Sequence, residues 1–155
     1  MNVFIVLLLA MQAASAPNPI AWSFKEPPGK ALPGGQAMTV HLAADIQPGW
    51  RLYSMDQPSG GPIATAISLP PGQPFAFAGA ISAAKPHAIF DPTSGIQVRL
   101  YTGHAEFALP IKTALTAPAG SQTVSVEIRY QTCNDVLCLP PRTVRVNLPV
   151  QVRGK

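Results

Sequence analysis

Val124-Ser125-Val126-Glu127-Ile128-Arg129-Tyr130 and Val144-Arg145-Val146-Asn147-Leu148-Pro149-Val150 alternate apolar and polar residues. A period of two places every second side chain on one face of an extended strand, whereas a helix repeats its faces every 3.6 residues or so. These two segments therefore read as half-buried β-strands. The same period recurs upstream. Met38, Val40, Leu42, Ala44 and Ile46 share one face, with Thr39, His41 and Asp45 on the other. After a Pro48-Gly49 turn, Trp50, Leu52 and Tyr53 open a further strand that ends at the turn cluster Pro58 to Pro62. Ile67 and Leu69 form a short strand closed by Pro70-Pro71, and Phe75 to Ile81 forms another. Ile96, Val98 and Leu100 alternate with Gln97, Arg99 and Tyr101; Thr102-Gly103 then turns the chain into Ala105, Phe107 and Leu109, which reads as a hairpin. Short strands with turn signals between them and no helical window imply a two-sheet antiparallel sandwich, with a barrel as the alternative.

Composition agrees. The 155 residues suffice for one domain with its own core. With 18 Pro, 12 Gly and only 12% charged residues, against about 25% charged in typical domains, long helices are disfavoured. The 47% hydrophobic content with a net charge of +4 excludes a disordered chain. The basic balance does not point to nucleic acid, because Lys25, Arg51, Lys85, Arg99, Lys112, Arg129, Arg142, Arg145 and Arg153 are scattered. Tracking a phosphate backbone needs cations in clusters.

Val3 to Met11 is a nine-residue apolar run followed by Ala13, Ala14, Ser15 and Ala16, the pattern of a secretory signal peptide cleaved after Ser15. The run is too short to cross a bilayer, which takes about 20 apolar residues. The expected organisation is a signal at residues 1–15, a Pro/Gly-rich entry arm with one edge strand at 16–35, and a β-sandwich over 36–155. Export makes the two cysteines candidates for a disulfide.

Most catalytic templates are missing: there is no Gly-x-Ser-x-Gly elbow, phosphate loop or His-Glu-x-x-His. His41, His87 and His104 stand far apart, so a zinc site with Cys133 and Cys138 lacks the paired ligands such sites show. What remains is Tyr130-Gln131-Thr132-Cys133-Asn134-Asp135-Val136-Leu137-Cys138-Leu139-Pro140-Pro141, between the two clearest strands. A disulfide closing so short a ring contributes only about 2 kcal/mol by loop entropy. Such a bond is either a local staple or a redox pair opened by another protein's thiolate, and the residues alone leave both open. Asp135 lies nearer Cys133 and disfavours a thiolate there, while Arg142, four residues past Cys138, favours one. Pro140 and Pro141 stiffen the chain beyond it.

The string YQTCNDVLCLPP, together with Pro48-Gly49-Trp50-Arg51-Leu52-Tyr53 and the segment Tyr101 to Pro110, resembles the N-terminal periplasmic domain of the thiol:disulfide interchange protein DsbD. The resemblance covers nearly the whole chain after the signal. It implies an immunoglobulin-like sandwich whose cysteine pair relays electrons from a separate membrane thiol reductase to periplasmic thioredoxin-fold proteins, without metal or organic cofactor. On this resemblance Cys133 and Cys138 are the redox pair and Cys138 forms the mixed disulfides. Tyr53 and Tyr130 are implied surroundings. Phe90, in the turn-rich segment His87 to Gly95, is the implied lid, with ordinary core packing as its alternative. The chain departs from the family in two ways. It has four residues between its cysteines where the best-known form has five, and Arg51 stands where that form has the first of two aromatics. The alternative function is a non-catalytic protein-binding sandwich with a structural disulfide.

Overall fold

The computed structural model describes residues 18–92 and 94–154. The expected signal at 1–15 lies outside the described residues. Among the described residues thirteen strands follow in order: β1 (Ile20–Phe24), β2 (Lys30–Pro33), β3 (Ala37–Ile46), β4 (Arg51–Tyr53), β5 (Ala66–Ser68), β6 (Phe75–Phe77), β7 (Ser82–Ala83), β8 (His87–Asp91), β9 (Ile96–Tyr101), β10 (His104–Thr113), β11 (Gly120–Tyr130), β12 (Thr132–Cys133) and β13 (Arg142–Arg153). No helix occurs among the described residues.

The alternating segments build two sheets that share one core. In the first, β3 lies between β1 and β10, β6 continues beyond β10, and β7 also pairs with β10. Its register places Val40 opposite Leu109, Leu42 opposite Phe107 and Ala44 opposite Ala105, so the apolar faces of β3 and β10 coincide. The second sheet runs β2-β13-β11-β5. There Val124 faces Leu148, Val126 faces Val146 and Ile128 faces Val144. Buried side chains of both sheets merge into a single cluster around Leu42, Phe107, Leu109, Val126, Ile128 and Tyr130. Burying a Leu- or Phe-sized side chain contributes about 1.5–3 kcal/mol, which makes this cluster the main support of the sandwich.

Four features differ from the sequence expectation. The run Phe75 to Ile81 is a strand only over β6, Phe75–Phe77. The entry arm supplies two strands, not one. β1 pairs antiparallel with β3 on the edge of the first sheet, and β2 pairs parallel with β13 on the edge of the second. The strands flanking Thr102-Gly103 do not pair with each other. The His104 N–H bonds the Thr102 carbonyl at 2.7 Å around Gly103, whose φ is 70°. This γ-turn is a corner that passes the chain from one sheet to another. Finally, β8 is a strand where a loop was expected. It forms a hairpin with β9, closed where the Gly95 N–H bonds the Asp91 carbonyl at 2.8 Å.

These corrections define a third, smaller sheet, β12-β4-β9-β8. It has its own satellite core of Tyr53, Val98, Leu100 and Cys133. The third sheet positions the cysteines.

Candidate functional site

β11 ends at Tyr130 in the second sheet and β12 begins at Thr132 in the third, so the chain changes sheets across one residue. Gln131 fixes the crossing: its side-chain oxygen accepts the Ile63 N–H at 3.0 Å and its amide donates to the Leu139 carbonyl at 3.3 Å. Immediately beyond, Cys133 and Cys138 form a disulfide with their Cα atoms 4.0 Å apart. The Leu139 N–H bonds the Thr132 carbonyl and the Asn134 N–H bonds the Leu137 carbonyl, each at 3.0 Å. The cysteines therefore occupy a non-hydrogen-bonded antiparallel pair, the position where facing side chains come closest.

The four-residue loop between them is ordered by Asn134. Its side-chain oxygen accepts the N–H groups of Val136 and Leu137, both at 2.8 Å, an Asx turn that satisfies backbone donors at an exposed tip. Asp135 leans back to β4, where its carboxylate pairs with the Arg51 guanidinium. Arg51 is the cross-strand partner of Cys133, and its carbonyl accepts the Thr132 hydroxyl at 2.7 Å.

The two sulfur-bearing residues differ in environment. Cys133 is 2% exposed within the satellite core, whereas Cys138 is exposed. Both line a cavity of about 320 Å³ whose walls include Arg51, Tyr53, Phe90 and Asp135. Tyr53 is buried. Burial raises its phenol above the usual range, the Asp91 carboxylate pushes the same way, and Arg51 opposes both. Phe90 is 61% exposed and lines the cavity from β8, which rules out core packing. Four large apolar residues are exposed on these elements, Ile89 and Phe90 on β8 and Val136 and Leu137 in the cysteine loop, and of them Ile89 and Phe90 line the cavity.

Tyr130 is placed elsewhere. It is 1% exposed in the main core, its ring 5.5 Å from that of Trp22, and it does not line this cavity. Burial raises its phenol as well. Arg142 also falls away from the disulfide cavity, into a small cleft with Asn18, Tyr130 and Pro140. The cation at the cysteines is Arg51, not Arg142. Among the described residues no group of three or more His, Cys, Asp or Glu converges as a metal site. Asn134 and Arg51 are the residues that sequence reasoning missed. An Asx former directly after a cysteine is a legible local signal for the first, but the second depends on the β4–β12 register.

The family model for the N-terminal domain of thiol:disulfide interchange protein DsbD matches residues 26–149. The chain belongs to that family. Among solved structures it is similar to the reduced DsbD N-terminal domain of Neisseria meningitidis, with a TM-score of 0.52 and 19% identity over 72% of this chain and 77% of that one. It is also similar to the N-terminal periplasmic domain of ScsB from Proteus mirabilis, with a TM-score of 0.54 and 16% identity over 83% of this chain but 44% of that one. A comparison with curated protein sequences returns no match. The shared fold is the immunoglobulin-like β-sandwich, and this DsbD-type domain carries its cysteine pair as a closed disulfide. The family is one of thiol-disulfide exchange domains.

Proposed function

We propose that this chain is an exported, periplasmic electron carrier that exchanges its Cys133–Cys138 disulfide with protein thiols. A membrane thiol reductase supplies the electrons and thioredoxin-fold proteins receive them. The observation that carries the reading is the asymmetry of the disulfide, one half buried and the other exposed beside a cavity. A partner thiolate attacks Sγ of Cys138, forming a mixed disulfide, and the electron pair of the broken bond leaves on Cys133. The partner's second thiolate then displaces Cys138. The partner ends as a disulfide and this chain as a dithiol, two electrons and two protons richer. In the reverse direction the Cys138 thiolate attacks an oxidised partner and Cys133 resolves the intermediate. The exposed apolar Ile89 and Phe90 on the cavity wall suit transient docking of such a partner beside the sulfur.

Two measurements test this. Equilibration with glutathione or dithiothreitol redox buffers gives the potential. A working pair lies above roughly −300 mV, and a value below that assigns the bond to structure. Cys133→Ala is expected to trap a mixed disulfide with a thioredoxin-fold protein through Cys138, and Cys138→Ala to trap little. Equal trapping by both variants, or trapping only through Cys133, overturns the assignment of roles.

A further inference from the structure

The exchange step places a negative charge on a buried sulfur. When the Cys133–Cys138 bond is attacked at Cys138, the leaving thiolate is that of Cys133, which is 2% exposed. A thiolate formed in apolar surroundings has a raised pKa and leaves slowly unless a cation compensates it. The groups facing the cavity are Arg51 and Tyr53 from β4, Asp91 from β8 and Asp135 from the cysteine loop, while β9 contributes the apolar Val98. Two are carboxylates and one is a phenol held neutral by burial. Arg51 is the one cation among the described residues that line the cavity.

Its placement is specific. Arg51 lies directly opposite Cys133 across the β4–β12 ladder, so the two side chains project from the same face. The Arg51 side chain is about one-third exposed, and its guanidinium also holds the Asp135 carboxylate. We propose that Arg51 is a positioning residue of the exchange site, compensating the thiolate that departs on Cys133 while keeping Asp135 as its counter-ion instead of a second, unpaired anion beside the sulfur. This deepens, and rests on, the reading of the chain as an exchange domain. It also gives a physical role to the position where the chain departs from the aromatic residue of its family.

The test is the rate at which dithiothreitol reduces the disulfide, measured by stopped flow against pH for the wild type, Arg51→Gln, Arg51→Lys and Asp135→Asn. The charge is partly screened by solvent, so Arg51→Gln is expected to slow reduction by about three- to tenfold, the effect of raising a leaving thiol's pKa by about 1–2 units at a Brønsted sensitivity of about one-half. Arg51→Lys retains the charge and is expected within about twofold of wild type, a difference worth at most about 0.4 kcal/mol of barrier. Asp135→Asn removes the competing anion and is expected to react at the wild-type rate or faster. In a Cys138→Ala background, the ultraviolet thiolate absorbance of Cys133 should titrate at higher pH once Arg51 is Gln.

An unchanged rate in Arg51→Gln overturns the proposal. So does equal slowing by Gln and Lys, which marks the fork geometry as the cause, or equal slowing by Arg51→Gln and Asp135→Asn, which marks the salt bridge as a mere clamp. If Arg51→Gln fails to fold, Asp135→Asn decides: a rate at or above wild type supports the proposal and a slower one overturns it. Dithiothreitol reads the site without a protein partner. A chain that traps no partner therefore refutes the carrier reading while the Arg51 measurement keeps its own outcome.

Discussion

Phe90 is the side chain whose removal most directly tests whether the cavity is a guarded one. The ring stands on β8 beside the disulfide and is 61% exposed, leaving about two-fifths of its surface packed against the cavity wall. On a residue that buries about 200 Å² when fully covered, that is about 80 Å² of contact, or about 2 kcal/mol at about 25 cal/mol per Å². This contact sets a ceiling on how tightly the ring can close the site. With tenfold in rate for every 1.4 kcal/mol or so, Phe90→Ala is expected to accelerate reduction by a small monothiol several-fold, and by no more than about 30-fold. Stability should fall by no more than about those 2 kcal/mol, because the substitution leaves the main core untouched. The assay is pseudo-first-order reduction by 2-mercaptoethanol, with urea melts to confirm that both proteins are folded. An unchanged rate in a folded variant would refute the reasoning, and so would an acceleration far above the ceiling, since the ring cannot withhold more than its contacts supply.

Asn134→Ala removes the acceptor of two backbone N–H groups in the cysteine loop. The folded domain should lose about 1 kcal/mol in urea melts. Because the turn involves no sulfur and holds in both redox forms, the potential in redox equilibration is expected to stay within about 10 mV of wild type. Glu26 provides a pH dependence distant from the sulfur. Burial favours its neutral form, but the His41 backbone N–H, the His41 ring and Lys30 together hold its pKa below the usual carboxylate value. Because the folded pKa is the lower one, the stabilisation is complete above the unfolded carboxylate's pKa and fades as pH falls through the folded value. Urea melts of Glu26→Gln should show a deficit of about 1–2 kcal/mol at neutral pH that shrinks in acid. A deficit independent of pH would separate the effect from ionisation.

How much of this was legible depended on whether a strand owned a core face. β3, β10, β11 and β13 each bury one side against the other sheet, so the alternation of Val40, Leu42 and Ala44 or of Val124, Val126 and Ile128 is written directly into the chain. β8 has no such face: His87, Ala88, Ile89 and Phe90 are all exposed, and a strand solvated on both sides leaves no period to read. β2 was hidden by its length and by Pro33, tolerated because it sits at the end of an edge strand. The Thr102-Gly103 turn was correctly placed, yet alternation on both sides of it does not say which sheet each strand joins. The cysteine pair was legible from its spacing and neighbours. Arg51 was not, because its relation to Cys133 exists only across a ladder, between residues far apart in sequence.

The two hydrogen bonds that bracket the disulfide, Leu139 to Thr132 and Asn134 to Leu137, involve no sulfur. Opening the S–S bond therefore separates two atoms on a backbone frame that the ladder and the Asx turn already hold. The oxidised and reduced forms are then expected to present nearly the same outline, so that a partner arriving at the cavity would meet a surface that does not announce its electron count. Selection between the two states falls to chemistry after docking instead of to shape before it. For the carrier proposed above the expected consequence is competition: a spent copy would occupy a partner about as well as a loaded one, so turnover would follow the ratio of the two forms.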